Sequence, residues 1–273
     1  MTDTDQGIRS KIWIDANMET PHCETIPAGE IAVFSMRCPG HEGANEDSVM
    51  ALSTADGRAV FAVADGAGGM PSGEEASKLA LQSLQKNAQK AHREGTQFRA
   101  GILDGFEAGN QAIIDLGVGA ATTMAVVEVE DGRLRTYHAG DSMTLVTGQR
   151  GKCKLLTVPH SPVGYAVEAG LLHQKEALFH EDLNQVSNIV GMADMRVELG
   201  PSTQMSKHDT LVLGSDGLFD NLHIDEIIET IRKGPIPGAA AALANAARQR
   251  MTGADKESPS KADDLTFIVF RRK

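Results

Sequence analysis

The order of periodicities along this 273-residue chain predicts an α+β fold, an α/β/β/α sandwich of two antiparallel β-sheets flanked by helices. Three observations carry that expectation. Strand-like runs come in groups, over 31–64 and 120–158, and helix-like spacing comes in pairs, over 73–117 and 225–251. That grouping departs from the strict strand–helix alternation of a doubly wound parallel sheet. Acidic residues also recur where an apolar run meets a glycine-bearing turn, at Asp47, Asp65, Asp141, Asp216 and Asp263.

Residues 1–29 carry proline, charge and little periodicity, and are expected to be an N-terminal arm or an edge segment bearing Trp13; residues 30–273 are expected to form one domain. A strand is expected over 31–35, then a turn at Pro39-Gly40 and a loop through Asn45, Glu46 and Asp47 into a strand over 48–52. The strand over 58–64 ends at Asp65, followed by Gly66, Gly68 and Gly69. Ser72 and Glu75 have the spacing of a capping box, which predicts a helix over 73–92 with Ala76, Ala80 and Leu84 on one face. Ile102, Phe106 and Ile113 mark a second helix ending near Gly117. The stretch 120–158 reads as an antiparallel meander with turns at Asp131-Gly132 and Gly148 to Gly151. Residues 159–200 lose periodicity and are expected to form a flap with a short helix. A strand over 210–213, helices over 225–232 and 239–251, a polar loop over 252–261 and a closing strand over 265–270 complete the chain.

With 37 acidic against 26 basic residues the net charge is -11, which opposes nonspecific binding to nucleic acid or an anionic membrane. Three scattered cysteines offer neither a disulfide framework nor a zinc spacing, and the nine histidines form no closely spaced zinc pair. The acidic N-terminus lacks the pattern of a secretion signal, and a cytoplasmic protein is the expectation.

Asp-Gly alone is a common turn dipeptide, and Asp131-Gly132 keeps that reading between two alternating runs. Asp65 and Asp216 differ, because each ends an apolar run and is followed by further glycines or by Asp220. Carboxylates at strand ends beside exposed carbonyls suit a hard divalent cation such as magnesium or manganese. No glycine pattern of the nucleotide-binding kind opens a helix.

Asn45-Glu46-Asp47, Asp65-Gly66, Thr122-Thr123, Gly140-Asp141-Ser142, Ser215-Asp216-Gly217 with Asp220, and Asp263-Asp264-Leu265-Thr266 occur in an order that resembles the metal-dependent type-2C (PPM) family of serine/threonine protein phosphatases, in its bacterial form. The resemblance spans residues 30 to 270 and implies a single phosphatase catalytic domain with its flap at 159–200. It implies hydrolysis of phosphoserine and phosphothreonine in proteins with two Mn2+ or Mg2+ ions, and a third in some members. On matching positions the resemblance implies that Asp65 would bridge the ions, Gly66 would offer its carbonyl to one, and Asp216 and Asp263 would hold the other. By the same resemblance Glu46 and Asp47 would act mainly through metal-bound waters, and Asp141, Asp216 and Asp220 match the third site of some members. The expected catalytic set is therefore Asp65, Asp216, Asp47 and Glu46, with no organic cofactor, and Asp264 as a supporting group where asparagine is frequent. A water between two divalent ions loses a proton near neutral pH and attacks phosphorus, so Ser48, Ser142 and Ser215 read as structural hydroxyls.

Two positions depart from the family. Glu42 stands where many relatives have a phosphate-binding arginine, leaving Arg37 and His41 as the phosphate-binding candidates. Ala67 stands where some eukaryotic relatives carry a histidine. The expected partner is a phosphoprotein substrate of a serine/threonine kinase in a signalling system, met by a monomer, without nucleic acid or membrane. Two alternatives stay open: a catalytically degenerate member that binds phosphoproteins, and a phosphatase of a small phosphorylated metabolite.

Overall fold

Every strand pairing in the computed structural model, which describes residues 3–5, 7–253 and 258–272, is antiparallel, and the pairings divide the strands between two sheets. Six strands open the chain: β1 (Asp3–Asp5), β2 (Ile8–Ile14), β3 (His22–Ile26), β4 (Gly29–Met36), β5 (Asp47–Thr54) and β6 (Ala59–Asp65). Helices α1 (Gly73–Arg93) and α2 (Phe98–Ile114) follow, then β7 (Met124–Glu130), β8 (Arg133–Ala139), β9 (Met143–Thr147) and β10 (Cys153–Leu156). The stretch expected as a flap holds α3 (Pro162–Glu168), α4 (Gln174–Ala177) and β11 (Glu198–Leu199), with β12 (Thr203–Gln204) just beyond. The chain then forms β13 (Thr210–Gly214), α5 (Asp216–Phe219), α6 (Ile224–Ile231), α7 (Ile236–Met251) and β14 (Leu265–Arg272).

One sheet runs β1-β2-β5-β6-β7-β8-β11, with β12 also on β8; the other runs β10-β9-β13-β14-β4-β3. Two-residue alternation sorts the side chains of the central strands. Val60, Ala62 and Ala64 of β6 face the layer that also holds Ala80 and Leu84 of α1 and Ile102 and Phe106 of α2. Phe61 and Val63 point the other way, into the space between the sheets, where Ile268 and Phe270 of β14 meet them. Phe267 and Val269 of β14 face outward against Ile227 of α6 and Leu243 of α7. Strands buried on both faces read as near-continuous apolar runs, which is why β6, β13 and β14 stand out in the sequence. The result is the expected α/β/β/α sandwich.

Local details differ from the sequence reading. Ser72 sits in the left-handed region at φ 59 and makes no capping hydrogen bond, while Glu75 pairs with Lys78, so the expected capping box does not form. The stretch 120–158 is not one meander: β7 and β8 pair in the first sheet, and the chain crosses at Gly140 to place β9 and β10 in the second. The N-terminal segment contributes β2, which carries Trp13 and pairs along β5, and β3, which pairs with β4. Residues 254–257 of the expected polar loop lie outside the described residues.

Candidate metal centre

Antiparallel pairing brings the acidic strand ends together. Asp47 opens β5 and Asp65 closes β6, and the two are direct register partners. Asp141 follows β8 by two residues, and Ala139 at the end of β8 pairs with Met124 at the start of β7. In the second sheet Asp216 follows β13, while Asp263 precedes β14, whose Phe267 pairs with Gly214. Asp216 and Asp220 lie four residues apart across one helical turn and share a face. The Ser215 hydroxyl donates to Asp47 Oδ2 at 2.8 Å, tying the two sheets together at this end.

Backbone contacts fix the loops. Asp264 accepts from the Cys38 and Glu46 amides, each at 2.6 Å, so its two oxygens hold both ends of the loop that carries Glu46. The Gly66 amide donates to the Glu46 carbonyl at 3.1 Å, and a Cβ on Gly66 would lie 2.5 Å from the Gly73 carbonyl at the start of α1, so only glycine fits. Gly217 is tighter still, because a Cβ there would stand 1.8 Å from the Asp264 carbonyl oxygen. Thr122 and Thr123 cradle the end of β6: Thr122 Oγ1 and the Thr123 amide both donate to the Asp65 carbonyl at 2.8 Å. Thr123 Oγ1 in turn lies 2.7 Å from Ser142 Oγ, beside Asp141.

The electrostatics are those of crowded carboxylates held out of water. Burial, then the neighbouring Asp47, Asp216, Asp263 and Asp141, push the Asp65 carboxyl well above its ordinary range. Burial followed by Asp216 raises Asp141 to about 7, Asp263 to about 6, and Asp220 well above its ordinary value. Burial and Asp264 raise Asp47, and the same two causes raise Glu46. Asp47 Oδ1 is buried without a hydrogen-bond partner. Oxygen donors from both sheets, mutually repelling and with one orphaned acceptor, fit hard divalent cations.

One positive charge already stands in this cluster. Lys261 Nζ is paired with Asp216 Oδ2, and lies 3.2 Å from Asp220 Oδ2 and 3.1 Å from Asp263 Oδ2. Burial works against the ammonium, but these three aspartates outweigh it and hold its pKa above the usual lysine range. Lys261 carries no signal in the sequence, since a lysine in a polar loop is ordinary until the fold brings it to the carboxylates.

Arg37 and His41 both sit on the loop ahead of Glu46. Arg37 Nη1 donates to the Gly43 carbonyl at 3.3 Å, and its buried Nε has no partner. His41 is exposed and lies near Glu46 and Asp264. Ser48 Oγ lies 3.1 Å from Ser77 Oγ, so Ser48, Ser142 and Ser215 are all engaged in hydroxyl contacts. An apolar cavity of about 280 Å³ opens beside Asp220, lined by Met143, Val163, Ala177, Phe219 and Leu222.

His138, His160 and Glu198 form a separate cluster on the far side of Gly140. His160 Nδ1 accepts from the Gly140 amide at 3.2 Å, and its Nε2 meets Glu198 Oε2 at 3.1 Å. The two imidazoles stack at 4.3 Å with planes 18° apart, and hydrogen bonds engage both ring nitrogens of His160. His160 thereby supports the turn that carries Asp141.

Together these features form a carboxylate-lined candidate cation centre at one end of a two-sheet sandwich, a site type suited to activating water. The family model for protein phosphatase 2C matches residues 40–248. Protein phosphatase PhpP of Streptococcus pneumoniae is 29% identical over 195 residues, covering 68% of this chain and 78% of that protein. The crystal structure of the Mycobacterium tuberculosis serine/threonine phosphatase PstP/Ppp superposes with a TM-score of 0.73 at 25% identity, covering 89% of this chain and 98% of that one. A structure of the PstP catalytic domain in complex with two manganese ions gives a TM-score of 0.67 at 24% identity, covering 88% and 96%. The chain belongs to the protein phosphatase 2C family.

Proposed function

We propose that this protein hydrolyses phosphoserine and phosphothreonine in proteins, using two divalent cations held by Asp65, the Gly66 carbonyl, Asp216 and Asp263. A third cation would be held by Asp141, Asp216 and Asp220. The observation that carries the reading is the convergence of buried, mutually repelling carboxylates from both sheets at one end of the sandwich. When bound, the cations supply an acidified water and offset the charge of the phosphoryl group. The free Oδ1 of Asp47 and the carboxylate of Glu46 offer acceptors that orient water, and Ser215 and Asp264 hold those two residues in place. Arg37 and His41, on the loop that leads to Glu46, are the candidates to bind substrate phosphate. Ser48, Ser142 and Ser215 bond Ser77, Thr123 and Asp47, with no histidine base beside them among the described residues, which supports direct attack by water.

The relatives named as protein phosphatases support a phosphoprotein substrate. The solved neighbour with two manganese ions makes Mn2+ the first cation to supply. We place the activity in cytoplasmic signalling by a monomer, opposite a serine/threonine kinase; no helix among the described residues is long and apolar enough to cross a membrane. A complete carboxylate set favours hydrolysis over phosphoprotein binding alone. The test is phosphate release by Mn2+-loaded protein from phosphoserine and phosphothreonine peptides beside small sugar and nucleoside monophosphates. Faster release from the peptides supports the reading; release only from the small phosphates moves the substrate class, and none from any overturns the activity.

A further inference from the structure

We propose that Lys261 is a tethered cation that occupies the Asp216, Asp220 and Asp263 carboxylates when divalent metal is absent, and that metal loading must displace it. The inference rests on the proposed metal role of those same carboxylates. Its ammonium touches all three, from the only lysine or arginine among the described residues seen to pair with any of them. A four-carbon stem on a loop residue lets the head group swing outward without disturbing a strand, because Lys261 precedes β14 and residues 258–260 before it belong to no helix or strand. The loop itself is anchored independently of the ammonium: the Lys261 amide donates to Asn221 Oδ1 at 2.9 Å, and Asn221 Nδ2 donates to the Lys261 carbonyl at 2.9 Å. The backbone is thus pinned beside the cluster while the side chain alone is free to exchange.

The physical consequence is competition. A lysine in the site neutralises carboxylates that otherwise repel one another, so it stabilises the metal-free protein and weakens apparent metal affinity. It sets the cation concentration at which the enzyme becomes loaded, a control that acts on assembly of the centre rather than on the chemical step.

The test is calorimetric titration of Mn2+ into the full metal-free chain near neutral pH, with thermal unfolding in EDTA and in saturating Mn2+, for wild type, Lys261→Gln and Lys261→Arg. Lys261→Gln is expected to bind Mn2+ about tenfold more tightly or better. It should also unfold at a lower temperature than wild type in EDTA yet match it in Mn2+, while Lys261→Arg stays near wild type. Unchanged Mn2+ affinity with unchanged unfolding in EDTA overturns the inference, as does a loss of stability that persists in saturating Mn2+. If Lys261→Gln fails to fold without metal, recovery on adding Mn2+ supports the inference and failure to recover overturns it. Mn2+ binding by wild type without tightening in the glutamine variant sinks only this inference. No Mn2+ binding by either protein sinks the metal assignment beneath it as well.

Discussion

Stripping divalent metal should make the stability of this protein fall as pH rises from about 4 to about 7. Asp141 has an ordinary value of 3.8, and burial and Asp216 lift it to about 7 in the folded chain. A carboxyl raised in this way favours folding fully below its unfolded value, where both states are protonated, and loses that contribution as pH climbs through the folded value. The difference corresponds to ~4 kcal/mol lost once Asp141 must be ionised in the folded state. Asp263, raised to about 6, acts in the same direction but adds less, because 35% of its side chain meets solvent. For a chain of this size the Asp141 contribution alone translates to roughly 10 °C in unfolding temperature. The assay is scanning calorimetry in EDTA at several pH values, repeated in saturating Mn2+ and with Asp141→Asn. Wild type in EDTA should lose stability across the range, the asparagine variant should lose distinctly less, and the stabilisation by Mn2+ should grow with pH as protons leave the ligands. An unfolding temperature in EDTA that is flat or rises with pH, or an Asp141→Asn profile identical to wild type, would refute the reasoning.

Three further outcomes follow from named contacts. Replacing Arg37 or His41 by alanine should raise KM for a phosphopeptide about tenfold while leaving kcat nearly unchanged, read from steady-state kinetics; unchanged KM in both variants removes them from phosphate binding. Phe270→Ala removes a ring packed 5.1 Å from Phe61 between the sheets and should cost about 3–5 kcal/mol in urea unfolding, whereas a loss under about 1 kcal/mol would mean the space between the sheets collapses freely. Gly217→Ala drives a Cβ to 1.8 Å from the Asp264 carbonyl, so the start of α5 must shift away from β14. It should lower Mn2+ affinity at least about tenfold by displacing Asp216, and unchanged affinity would contradict the tight approach.

The sandwich was legible because its central strands are buried on both faces and its helices on one, which writes two distinct periods into the sequence. Strand β3 left no such mark, since four of its five residues are exposed and it is held by backbone pairing with β4. The capping box at Ser72 and Glu75 had the right spacing, but the close approach of Gly66 to Gly73 goes with a left-handed Ser72 that turns the serine away from its role. The crossing at Gly140 was invisible because each side of it alternates correctly, and nothing local says that the next strand belongs to the other sheet. Among the site residues, the aspartates were marked by their place at strand ends, and the structure brings Asp47, Asp65, Asp141, Asp216, Asp220 and Asp263 within electrostatic reach of one another. Lys261 and the two-handed grip of Asp264 were not marked, because both depend on contacts between segments some 40 to 220 residues apart.

The most direct test of the central claim is an Mn2+ titration of phosphate release from a phosphothreonine peptide, with wild type and Asp216→Asn side by side and folding of both verified by circular dichroism. Removing one ligand charge should weaken Mn2+ activation and depress turnover by about a hundredfold or more, while wild type shows saturable release that EDTA abolishes. Near-wild-type turnover in a folded Asp216→Asn protein, or wild-type release that persists in EDTA, would contradict a carboxylate-held metal centre as the source of the activity.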